Sequence, residues 1–240
     1  MGSFYDLLLA SKLSGGGGGG GGGSLEDAIL DGTFTGVYEN TRITALRQAA
    51  FNGAAPGFTG FSFPNVVSIG ANALYQQTGA ESINLPKCET IGNFALAYCS
   101  NANLKTMVLK SAKTFGIQSM RNMNGLETLD ILGSSTSGAI AANIWVGNSK
   151  MNKLIIRFTG GVVPLANTNA FDSTPFWSNG TGGEIYIHKS LYDHLGDGTA
   201  NDYKAASNWS TINGYGTITW KAIEGSYYET HYADGTPISA

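Results

Sequence analysis

The 240-residue chain is poor in charge. Fourteen Lys and Arg with seventeen Asp and Glu make up 13% of it, and the net charge is -3; the usual charged share is about 25%. Charge this sparse cannot track a phosphate backbone or an anionic lipid surface, so neither nucleic-acid binding nor peripheral membrane attachment is expected. No apolar run approaches the roughly 20 residues that a bilayer span requires, so no membrane span is expected either. Two cysteines cannot staple a small disulfide framework, and the fold must hold by burial. The three histidines, His188, His194 and His231, form no helical i, i+4 pair and lie near no Gly-x-Ser-x-Gly elbow. The expectation is a non-enzymatic protein with no cofactor.

What is present is apolar and repetitive. Hydrophobic residues are 42% of the chain and aromatics 11%, ample for a core. Of 34 glycines, nine form the single run Gly15–Gly23, a coil with a reach of roughly 15–18 Å. Ahead of it, residues 1–14 carry Phe4, Leu7 and Leu8, with Tyr5, Leu9 and Leu13 on a neighbouring face, the spacing of a short amphipathic helix. Asp6 and the brevity of the Leu7–Ala10 run argue against a signal peptide. The segment reads as a docking peptide on a glycine tether. A disordered leader with an incidental glycine tract is the plainer alternative. In a third reading, three chains pack their glycine runs as polyglycine strands and form a homotrimer.

The rest is a repeat. A triplet of two apolar residues flanking a variable one recurs at Phe61/Phe63, Ile83/Leu85, Met107/Leu109, Leu129/Ile131, Leu154/Ile156 and Ile185/Ile187, in steps of 22, 24, 22, 25 and 31. A second series runs in counterphase, from Leu46 to Ala50-Phe51, Ile69-Gly70 to Ala73-Leu74, Ile91-Gly92 to Ala95-Leu96 and Phe115-Gly116 to Ser119-Met120. It degrades near Ile140–Trp145 and gains a residue at Leu165–Phe171. Two interleaved series sharing one period imply a solenoid. The expected fold is a mainly β repeat solenoid of about six coils of 22–25 residues, stacked at about 4.8 Å. Period-2 alternation turns Ser62, Asn84, Val108, Asp130, Ile155 and Tyr186 outward. Of this row, Asn84, Val108, Asp130, Ile155 and Tyr186 form the candidate binding face.

Phe63–Gly70, Leu85–Ala95 and Tyr98–Leu104 resemble the BspA-type leucine-rich repeat, which alternates a strand with an Ile-Gly-x-x-Ala-Phe segment and a Cys before the next leucine. The resemblance covers about residues 43–188 and is best in the second and third coils. It implies a leucine-rich-repeat solenoid with a recognition or adhesion surface, as in bacterial surface proteins and in virion-associated, fibre-like proteins of phages and prophages of gut Firmicutes. On this pattern residues 24–42 are an N-terminal cap, with Ser24 and Asp27 suited to a capping box. Residues 189–225 are a small α+β C-terminal cap resembling the terminator of such proteins, carried by Asn208-Trp209-Ser210 and Ala222-Ile223-Glu224-Gly225. Ser190 and Asp193 suggest a second capping box, the alternation from Thr217 to Ile223 a half-buried strand, and the tail 226–240 either packs on the cap or stays loose.

Sites for metals are not expected. Asp193, Asp197 and Asp202 depart from the calcium-loop spacing, and Cys88 and Cys99 lack the second pair that zinc needs. Both cysteines fall where a coil turns and read as small buried thiols, with a disulfide between them as the alternative. The preferred functional reading is a phage virion accessory or fibre-type protein. Its N-terminal peptide docks on a capsid or tail protein, and its solenoid meets a bacterial surface protein or polysaccharide. The alternative is a bacterial cell-surface, BspA-like adhesin, which should carry an export or sorting signal.

Overall fold

The computed structural model describes residues 34–53, 57–176, 181–209 and 218–239. The N-terminal peptide, the glycine run and the Ser24–Asp27 capping box lie outside these residues. Within them the chain is a parallel β-solenoid, as the two interleaved series require.

The triplet series builds one face. Its strands are β1 (Gly36–Glu39), β3 (Phe58–Ser62), β5 (Ser82–Asn84), β7 (Thr106–Leu109), β9 (Thr128–Ile131), β10 (Lys153–Ile156), β11 (Gly183–Ile187) and β12 (Ile218–Ala222). Each pairs in parallel with its neighbour in two consecutive sheets, β1-β3-β5 and β7-β9-β10-β11-β12. The register places like on like, with Phe61 against Ile83, Met107 against Leu129 and Leu154 against Ile185. All twelve triplet side chains are buried. The six expected rungs are thus extended at both ends, by β1 inside the range assigned to the N-terminal cap and by β12 of the C-terminal cap.

The counterphase series builds the opposite wall: β2 (Ala45–Leu46), β4 (Ser68–Ile69), β6 (Thr90–Ile91) and β8 (Thr114–Phe115), continued by bridges from Phe115 to Ile140 and from Ile140 to Leu165. After each of these short strands the chain makes two turns in succession rather than a helix. The turns need left-handed residues, and Asn72, Phe94, Gln118 and Asn143 supply them at equivalent positions (φ 56°, 56°, 53° and 57°). Successive turns are bonded coil to coil: Asn72, Leu74 and Gln76 N–H donate to Asn93, Ala95 and Ala97 carbonyls. The chain can therefore give up helix without orphaning its backbone.

The glycine of each Ile-Gly pair has a steric cause. A Cβ on Gly92 would lie 2.7 Å from both the Ala71 nitrogen and the Gly70 carbonyl carbon of the preceding coil, closer than packed atoms allow. The coils stack this tightly only because the position carries no side chain.

A buried polar position recurs after the turns. Gln77 Nε2 donates to the Phe51 carbonyl, Cys99 Sγ to that of Leu74 (3.2 Å) and Asn148 Nδ2 to that of Met120 (3.0 Å). Each therefore seals the bulky-residue carbonyl of the preceding coil. Cys99 and Cys88 are free and buried, and burial pushes their thiols up to about 12 and about 11.

The C-terminal cap is less helical than expected. Among its described residues only Lys189–Tyr192 forms a helical turn, and the Ser190–Asp193 capping box is not made. Ser190 sits inside the turn and Asp193 at its end. The N-terminal amide of Lys189 instead donates to Glu224 Oε2 (2.6 Å), so the cap comes from the terminator sequence 35 residues onward. Leu191, Tyr203 and Trp209 still close the core, with Tyr203 and Trp209 rings 5.1 Å apart and perpendicular.

Candidate functional site

Strand alternation sets the outward columns. The central one reads Glu39, Ser62 and Asn84 in the first sheet and Val108, Asp130, Ile155, Tyr186 and Lys221 in the second, aligned by register within each. In its first half the column faces out: of the expected residues Asn84 is exposed and Ser62 and Val108 are half-buried, and Glu39, which the sequence did not single out, is exposed beside them. Ser62 Oγ donates to Glu39 Oε1 (3.4 Å) and Asn84 Nδ2 to Ser62 Oγ (3.4 Å), giving a polar ladder along three rungs. Val37, on the adjoining column, is 52% exposed.

In its second half the expectation fails. Asp130 and Ile155 have no exposed surface and Tyr186 is 7% exposed. All three do point away from the apolar spine, but the C-terminal segment lies across them. The Tyr186 and Tyr228 rings meet edge to face at 4.7 Å, and Ile155, Tyr186 and Ile223 form a second small apolar cluster with Tyr228 and Ala233 packed against it. The tail 226–239 therefore neither stays loose nor confines itself to the cap. It docks on the outer face of the solenoid.

One ion pair organises this docking. Arg157 Nε and Nη2 donate to Asp130 Oδ1 and Oδ2, each at 2.7 Å. The same guanidinium donates through Nη1 to the Tyr228 carbonyl and through Nη2 to the His231 carbonyl, both at 2.9 Å. The Ala233 N–H donates to Asp130 Oδ2 at 2.9 Å. Burial raises the Asp130 carboxyl above its ordinary value, opposed by the Arg157 guanidinium and the Ala233 amide, which favour the carboxylate. The Tyr232 ring lies under both Arg157 and Lys110, 4.7 and 5.3 Å from its centroid. The covered half is thus a built interface within the chain. Arg157, its main contributor, was absent from the residues singled out by sequence.

Beside it, Glu184 pairs with Lys221 and with Lys153 (3.5 Å). The hydrogen bond from Lys221 holds its carboxyl below the usual range, with Lys153 adding to the effect. His188 pairs with Glu224 at the edge of the cap. Asp193 is taken by Lys189, and Asp197 by His194 and the Thr199 N–H. Asp202 accepts from Gly198 and Lys204 amides. Among the described residues no group of three or more His, Cys, Asp or Glu gathers where a metal could be held, and no helix is long and apolar enough to cross a membrane.

No family model and no curated protein matches the chain. Among solved structures, the one titled "The Crystal structure of Pneumococcal vaccine antigen PcpA" is similar over 78% of this chain, at 15% identity and a TM-score of 0.49. The match spans 40% of that protein's length.

Proposed function

We propose that the chain is a non-enzymatic recognition protein, specifically a phage virion accessory or fibre-type protein that presents its solenoid to a bacterial surface. The observation that supports this most is the division of the outer face. From Glu39 to Val108 the central column stays open, whereas from Asp130 to Tyr186 the chain covers its own surface. An uncovered, laddered face on a stiff parallel stack holds side chains at a fixed pitch of about 4.8 Å, the arrangement by which solenoids bind through shape and scattered contacts. Attachment to a capsid or tail protein is assigned to residues 1–14, whose apolar spacing calls for a receiving surface and whose glycine tether separates them from the repeats. A homotrimer joined at the glycine runs belongs to the same reading.

The test compares full-length protein with a form beginning at Leu25. Both should fold, and only the full-length form should join virion particles; equal incorporation of both removes the docking role. Asn84→Arg and Val108→Glu should lower binding to host cells with melting unchanged. Undiminished binding by both variants eliminates the open face. Binding to cells by a protein displayed on a bacterium's own surface, and never on particles, would favour the adhesin reading.

A further inference from the structure

We infer that a groove beside the last strand binds a neutral saccharide, an assignment that rests on the recognition reading and gives it a ligand class. The groove, of about 380 Å³, lies where β12, the helical turn Lys189–Tyr192 and the start of the tail meet. Tyr186, Tyr192, Trp220, Lys221, Glu224 and Ser226 line it. That volume falls in the range of small-ligand sites.

The lining is aromatic and polar together, and the polar groups are fixed in advance. Glu224 accepts from the Lys189 amide and pairs with His188. Lys221 is held by Glu184, with its ammonium 5.5 Å from the Tyr186 ring centroid. Ser226 Oγ donates to the Ile223 carbonyl and accepts from the Tyr228 amide. Groups positioned before binding lose little freedom when a ligand arrives. Tyr192, 37% exposed, is the ring most accessible to a visitor.

Charge and shape select the ligand. A carboxylate and an ammonium share the groove, and the ammonium is already taken by Glu184, so opposite charges stand side by side and neither sign of ion dominates the field there. The site is open to solvent, and an apolar ligand would leave much of its surface wet. A pyranose fits both constraints: its axial C–H face can lie on the exposed Tyr192 ring, while its hydroxyls both donate and accept at the rim, matching Glu224, Lys221 and Ser226.

The test uses the full-length protein with maltotriose and chitotriose as neutral probes and trigalacturonate as an anionic one, followed by tryptophan fluorescence and by two-dimensional NMR. Saturable binding of a neutral probe should be weakened about tenfold or more by Tyr192→Ala, with melting unchanged, and also by Lys221→Gln. Absence of binding by both neutral probes, indifference to both substitutions, or preference for trigalacturonate overturns the assignment. The host-cell assay with Asn84→Arg separates the two levels. If sugars fail and Asn84 still matters to cell binding, the groove falls and the recognition reading stands; if neither binds, both fall.

Discussion

Arg157 on the end of one rung grips Asp130 on the rung before it through two parallel hydrogen bonds of 2.7 Å, and the same guanidinium holds the tail by two carbonyls. Fork-to-fork geometry of this kind cannot be reproduced by lysine. The pair is the hinge between the repeats and the segment that covers them.

Arg157→Ala should therefore cost about 3–5 kcal/mol, because it strands a buried carboxylate. Replacing both partners, Asp130→Asn with Arg157→Met, should cost less than the single change. Urea denaturation measures both. Protease cleavage within 226–239 should accelerate in the single variant, while the repeats stay resistant.

The glycine of the Ile-Gly pair gives a second prediction. Gly92→Ala should destabilise by about 1–3 kcal/mol, the usual range for overpacking, since backbone atoms of Gly70 and Ala71 stand in its way. Thermal melting checks it. A neutral outcome would mean that coils can part locally without loss.

The thiols give a third. Cys88 and Cys99 should resist alkylation in the native protein near neutral pH, since burial raises their pKa values to about 11 and about 12 and the thiolate is the reactive form. Both should react once the chain is unfolded. Mass measured without reductant should show two free thiols; a loss of two hydrogen atoms would report a disulfide instead.

Acid sensitivity gives the fourth. Glu184 has its carboxyl lowered by Lys221 and Lys153 from an ordinary value of 4.5. A lowered carboxyl stabilises the fold above the unfolded value and loses that contribution as pH falls through the folded one. The difference in melting temperature between wild type and Glu184→Gln should stay constant above pH 4.5 and shrink below it. A difference that grows on acidification would contradict the pairing. Its size is limited by solvent, since Glu184 is a third exposed.

The spine was legible because its cause is local: two-residue alternation and one period fix which side chains face in, and Phe63, Leu109 and Ile187 follow it. The closing of Asp130, Ile155 and Tyr186 was not, because the cover arrives from some hundred residues away in the chain, as from Ala233 to Asp130, and carries no repeat. Signals for it did exist. Leu154-Ile155-Ile156 is an unbroken apolar run, which in a strand means both faces are buried. Arg157 and Asp130 placed opposite charges on neighbouring rungs of a chain with little charge to spare. The first rung escaped notice for another reason: Val37-Tyr38-Glu39 has a single inward residue in place of an apolar pair.

The strap also acts as a ruler. It leaves the cap at Ser226, crosses the outer ends of Tyr186, Ile155 and Asp130, and brings Tyr232 over Lys110. Its contacts are spaced to the pitch of the stack, so its fixed length sets how many rungs can stand between β7 and β12. Duplicating or deleting one rung in that stretch would leave the spine intact yet shift every anchor by a rung. Repeat-number variation should accordingly be tolerated near β3 and β5, beyond the strap's reach, and selected against underneath it.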